Sequence, residues 1–179
     1  MEYRRVYINA GTYFFTLVTF ERRPILSSPR SIELLNDAFQ YTSDRMPFQV
    51  VAGVVLPDHM HFVWTMPIES VDFSTRWRLI KSHFTRHWCK DGSISVSASR
   101  IKKGEQDIWQ RRFWEHLIRD ENDLSRHIEY IHYNPVKHGH VSSAINWKYS
   151  SFMKYAQDGL YPRNWGENGN VWSGVSLME

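Results

Sequence analysis

The chain has 179 residues, with 22 Lys and Arg against 19 Asp and Glu, and it is rich in aromatics: eight Trp, nine Tyr and ten Phe. This length and aromatic content favour one packed domain and exclude a disordered chain, while a single cysteine, Cys89, excludes a disulfide framework and a cysteine-rich zinc site. A net charge of +3 permits nucleic-acid binding without demanding it.

In chain order, Thr12 to Phe20 is β-branched and aromatic and is expected to form a first strand. Ser28-Pro29 supplies an N-cap and first helical residue, and Ile32, Leu35 and Phe39 carry an amphipathic helix to about Asp44. Phe48 to Leu56 is a nearly continuous apolar run suited to a central strand. Pro57-Asp58 marks a turn, and the next strand, His59 to Met66, alternates strictly. Asp72 caps a second helix with Phe73, Trp77, Ile80, Phe84 and Trp88 at helical spacing. The basic residues of that helix (Arg76, Arg78, Lys81, Arg86) are scattered and read as solvated surface. Lys90 to Gln106 reads as a long flexible loop, Trp109 to Arg119 as a fourth strand, and Glu121 to Asn134 as a third helix stopped by Pro135. An aromatic tail with Trp147, Tyr161 and Trp165 follows.

The order β-α-β-β-α-β with one more helix predicts an α+β, ferredoxin-like (RRM-like) antiparallel sheet. Two helices pack on one face and the additional helix lies near the other. A single domain is expected, with its core at about 8–140 and its tail at about 141–179. There is no amino-terminal apolar segment and no apolar run of spanning length, so a soluble, cytoplasmic protein is expected.

Successive side chains of a strand point to opposite faces. Met60, Phe62, Trp64 and Met66 therefore face a core, and His59 and His61 share the other side. Two imidazoles at this spacing suit one divalent cation. Roughly 0.4 such His-x-His pairs are expected by chance in this composition, so the strand context decides, not the spacing. His138-Gly139-His140 has the same spacing but follows Pro135 and reads as a loop coincidence. On the third helix, Leu124, Ile128 and Ile131 form a buried face, with Tyr130, Asn134 and His127 on its flank and Tyr133 turned to solvent. A phenol beside a cation suits attack on phosphorus, because a phenol pKa near ~10 needs help at neutral pH. Two other readings remain open: a sheet that holds single strands without chemistry, and a metal-dependent hydrolase using activated water.

The runs LPDHMHFVW (56–64), FSTRWRLIKSHFT (73–85), WQRRFWEHLIRD (109–120) and HIEYIHYNPVKHG (127–139), with the opening EYRRVYINAGTYFFT (2–16), resemble the REP-associated tyrosine transposases of the single-tyrosine HUH superfamily. The resemblance implies His59, His61 and Asn134 as ligands of Mg²⁺ or Mn²⁺ and Tyr130 as the nucleophile. It further implies cleavage and joining of single-stranded DNA at palindromic hairpins through a 5′-phosphotyrosine link, by a monomer or homodimer acting at the nucleoid. For DNA contact, the candidates are Arg4, Arg5, Lys102, Lys103, Arg111, Arg112 and His127, the basic pairs near aromatics that can stack on unpaired bases.

Overall fold

The structure, a computed structural model, describes residues 7–88 and 107–167. The first strand, β1, spans Thr12–Val18. Helix α1 (Pro29–Ser43) starts as expected, with the Ser31 amide donating to Ser28 Oγ at 3.1 Å. Strands β2 (Gln49–Val55) and β3 (His59–Thr65) form an antiparallel hairpin closed by the Leu56 amide donating to the His59 carbonyl at 2.8 Å. Helix α2 (Phe73–Trp88) is capped by Asp72, which accepts from the Thr75 amide at 2.8 Å. Strand β4 (Trp114–Leu117), the long helix α3 (Glu121–Lys137) and the short helix α4 (Phe152–Gln157) complete the order. The sheet is antiparallel in the order β2-β3-β1-β4, which is the ferredoxin-like arrangement.

The apolar alternation of β3 does what it predicts. Met60, Phe62, Trp64 and Met66 join Phe15 and Leu17 of β1 and the inner faces of α1 and α2 in one core. At its centre the Trp64 and Trp77 rings stack at 3.9 Å, and Trp64 is fully buried. Gly53 of β2 lies directly beneath the Phe62 ring, where a Cβ would come within 2.4 Å of a ring carbon. Close ring-on-backbone packing explains a glycine in the middle of an otherwise β-branched strand.

The other face of the sheet carries a second apolar cluster, in which Phe14, Val54 and Val63 meet Ile128, Tyr130 and Ile131 of α3. The sheet is thus covered on both sides, and the candidate site lies between sheet and α3.

Several expectations need correction. The fourth strand is four residues long, because Trp109 pairs only as an isolated bridge with Thr19 and residues 110–113, between it and Trp114, are not part of a strand. Pro135 does not stop α3, which runs on to Lys137. A proline in the last turn removes one donor, yet the amides of His138, Gly139 and His140 still close on the carbonyls of Asn134, Val136 and Pro135 at 2.9–3.0 Å. Arg76 is not solvated surface but 1% exposed, and its guanidinium donates to the carbonyls of Met46, Pro47 and Asp72. The segment after α3, as far as residue 167, packs back onto the fold. Its backbone pairs with the edge of β2 (Val55 amide to Tyr149 carbonyl, Ser151 amide to Gly53 carbonyl), and His132 Nε2 of α3 bonds Ser151 Oγ at 2.8 Å. This cover removes part of an open sheet edge. The expected loop at 90–106 lies outside the described residues. Among the described residues, no helix is long and apolar enough to cross a membrane.

Candidate active site

The register of β3 sets His59 opposite Val18 and His61 opposite Thr16 of β1. Both imidazoles are buried, at 3% and 1% exposure. Each spends Nδ1 on a neighbour: His59 on the Asp58 carboxylate at 2.6 Å, His61 on the Thr16 hydroxyl at 2.9 Å. Asp58 in turn accepts from Arg22 Nη1 at 3.1 Å. Burial alone would raise the Asp58 pKa, but the hydrogen bond and charge of His59, then those of Arg22, outweigh it and hold it below the usual carboxylate range. Both Nε2 atoms are buried without a hydrogen-bond partner among the described residues. Such atoms are costly unless something is meant to meet them.

Helix α3 supplies the other wall. Asp123, His127, Tyr130, Asn134 and Lys137 are spaced four, three, four and three residues apart, so they form one stripe along the helix. Tyr130 is 1% exposed, and its ring lies edge-on to that of His61 at 5.1 Å. Asn134 is fully buried, and both atoms of its amide lack partners among the described residues. Lys137 Nζ sits 5.0 Å from the centroid of the Tyr130 ring. The His138 ring lies 5.0 Å from that of His59, so His138, read above as a loop coincidence, belongs to the site because α3 runs through Pro135. His61 is driven well below its ordinary pKa, first by burial and then by the charges of His59, His138, Lys137 and Arg22. It is therefore neutral, the form that binds cations.

The donor set fits a divalent ion. Two imidazole Nε2 atoms of β3 and the amide oxygen of Asn134 on α3 are all buried and without partners among the described residues, and each histidine is held through Nδ1 by a group of the kind that orients metal ligands.

Residues 8–134 match the family described as Transposase IS200 like. The chain belongs to the IS200-like transposases. A REP-associated tyrosine transposase of Escherichia coli K12 is 44% identical over 92% of this chain and 90% of its own. A Haemophilus influenzae protein is 41% identical over 93% of each chain. A REP-associated tyrosine transposase solved bound to a REP hairpin superposes with a TM-score of 0.78 at 40% identity, covering 100% of this chain and 99% of that one.

The transposase has a second histidine group on the same face. His116 of β4 and Asp123 and His127 of α3 hold their ligand atoms within 4.8 Å of one another, close enough for an ion. Here, however, the carboxylate and two of the ring nitrogens are already engaged, while His127 Nε2 is buried without a hydrogen-bond partner among the described residues. His116 Nε2 bonds Asp123 Oδ2 at 2.8 Å, the Arg119 amide donates to the same oxygen at 3.0 Å, and His127 Nδ1 donates to the Asp123 carbonyl at 2.7 Å. Burial raises the Asp123 pKa, but these hydrogen bonds and the neighbouring histidines bring it to about 2. The Phe14 ring separates the two groups, 5.4 Å from His61 and 4.8 Å from His127.

Of the expected DNA contacts, Arg111 and Arg112 are exposed just before β4, where Lys81 Nζ donates to the carbonyl of Gln110 at 2.6 Å. Phe113 turns into the α1/α2 core, and Trp114 turns to the site face, 5.7 Å from Phe14. His127 is 2% exposed and belongs to the second histidine group rather than to the surface. Arg4, Arg5, Lys102 and Lys103 lie outside the described residues. Tyr133 is half-buried, edge-on to Trp165 at 6.3 Å, and not turned to solvent. Sequence reasoning missed Thr16, Asp58, Lys137 and His138 at the site. The four-three spacing of the α3 stripe carried a signal for Lys137; only the sheet register reveals Thr16.

Proposed function

We propose that this transposase cleaves and rejoins single-stranded DNA beside palindromic REP hairpins, with Tyr130 as nucleophile and His59, His61 and Asn134 holding Mg²⁺ or Mn²⁺. The observation that carries this reading is the meeting of the Tyr130 ring with an imidazole pair whose Nε2 atoms are buried and unspent. The hairpin-bound relative supports the substrate.

Tyr130 Oη attacks the scissile phosphorus, an O–P bond forms, and the P–O3′ bond breaks with its electron pair on the 3′ oxygen. The phenolic proton ends, in net terms, on that 3′ oxygen. The products are a 5′-phosphotyrosine and a free 3′-hydroxyl, and attack by a second 3′-hydroxyl reverses the step and joins strands. The chemistry that a bound cation supplies is neutralisation of charge at a phosphoryl oxygen. Asp58 and Thr16 hold the two imidazoles in orientation and tautomer. Burial of the phenol keeps water from the phosphotyrosine, which favours rejoining over hydrolysis. Arg111 and Arg112 are the exposed cations offered to the hairpin phosphates.

The test is a covalent adduct between the protein and a hairpin oligonucleotide with a single-stranded flank. Wild type and Tyr133→Phe form it, Tyr130→Phe binds the hairpin but forms none, and mass spectrometry places the nucleotide on Tyr130. Cleavage without an adduct means water is the nucleophile; an adduct on Tyr133 overturns the site.

A further inference from the structure

We infer that Lys137 holds a non-bridging oxygen of the scissile phosphate against Tyr130, making it the phosphate-clamping residue of the reaction. This rests on the function proposed above. Lys137 continues the helical stripe of Tyr130 and Asn134 at spacings of four and three, and it reaches the site only because α3 runs through Pro135 to residue 137. Its ammonium stands 5.0 Å from the Tyr130 ring centroid. Tyr130, Asn134, His59 and His61 are all buried, whereas Lys137 is exposed. Lys137 is thus the cation of this stripe that both touches solvent and lies beside the phenol ring, where it can meet a phosphodiester arriving from outside.

The competing account is structural. A lysine in the last turn of a helix interacts favourably with the helix C-terminus wherever its head group points. A phosphate clamp differs in one measurable respect, its dependence on the charge of the scissile linkage.

The rate of adduct formation at saturating hairpin is compared for wild type, Lys137→Met and Lys137→Arg, on a phosphodiester and on a methylphosphonate placed only at the scissile position. Lys137→Met is expected to slow the phosphodiester reaction about 10- to 100-fold, the range for loss of a charged hydrogen bond. Hairpin affinity and melting temperature stay near wild type, and Lys137→Arg recovers most of the rate. On the neutral methylphosphonate the penalty of Lys137→Met collapses to within about twofold, because the charge that the lysine meets is gone. An equal penalty on both linkages, a wild-type rate for Lys137→Met, or a loss that tracks melting temperature and is not recovered by arginine overturns the clamp. If wild type forms no adduct, or Tyr130→Phe forms one, the reading of the site itself fails, and that outcome is distinct from all of these.

Discussion

Two histidine groups stand on the same face of one sheet, separated by the ring of Phe14, and they differ in how many buried donor atoms they leave unspent. At His116, Asp123 and His127, the carboxylate takes donors from His116 and Arg119, and His127 Nδ1 is held by a backbone carbonyl. At His59 and His61, Nδ1 is spent and Nε2 is not, in a place where water does not reach. The first group fastens α3 to β4 and has one buried ring nitrogen, His127 Nε2, without a hydrogen-bond partner among the described residues. The second leaves both Nε2 atoms and, on α3, the amide of Asn134 without partners among the described residues. Proximity of ligand types is therefore a poor guide to a metal centre; the decisive question is which donor atoms the protein has left unspent.

The sharpest way to break this comparison is to measure Mn²⁺ binding directly, without DNA. His61→Ala should weaken it by more than about 100-fold, since loss of an outer partner alone costs about 10- to 100-fold. His116→Ala should leave it near wild type. The reverse pattern in calorimetry would transfer the metal centre to the second group.

Asp123→Asn tests the fastening role. The carboxylate is 10% exposed and its pKa falls to about 2 from 3.8, so it contributes stability above pH 3.8 that is lost as pH falls through about 2. By that linkage the variant should be about 2 kcal/mol less stable at neutral pH. The gap from wild type should close between about pH 4 and pH 2 in denaturant titrations. A constant gap across that window would mean that Asp123 acts through packing and not through its charge.

The smallest expected effect is at Thr16→Val, which removes the partner of His61 Nδ1 while keeping the shape of the side chain. Mn²⁺ affinity should fall by about tenfold or less, as for an outer-shell partner, with stability changed by under about 1 kcal/mol. Unchanged affinity would show that β3 alone orients His61.

The sequence by itself determined the strand order, the apolar and polar faces of β3, the caps of α1 and α2, and the helix face that brings Tyr130 to His61. These are local patterns: alternation on a strand, spacing on a helix, a short polar side chain before a helical run. Where the sequence misled, a distant contact outweighed the local signal. Pro135 reads as a stop because it lacks a donor, yet the bonds of the His138, Gly139 and His140 amides close the turn that carries α3 to Lys137 and brings His138 to His59. Arg76 reads as surface because it is charged, yet three carbonyls from the α1–β2 connection and the start of α2 bury it. Nothing local marks Thr16 or Asp58 as a partner of a histidine; sheet register sets Thr16 across from His61, and the hairpin fold aims Asp58 at the ring beside it. A helical or strand period fixes which face a residue takes, but which atoms it meets there, and whether they are already satisfied, is decided only when separate segments pack.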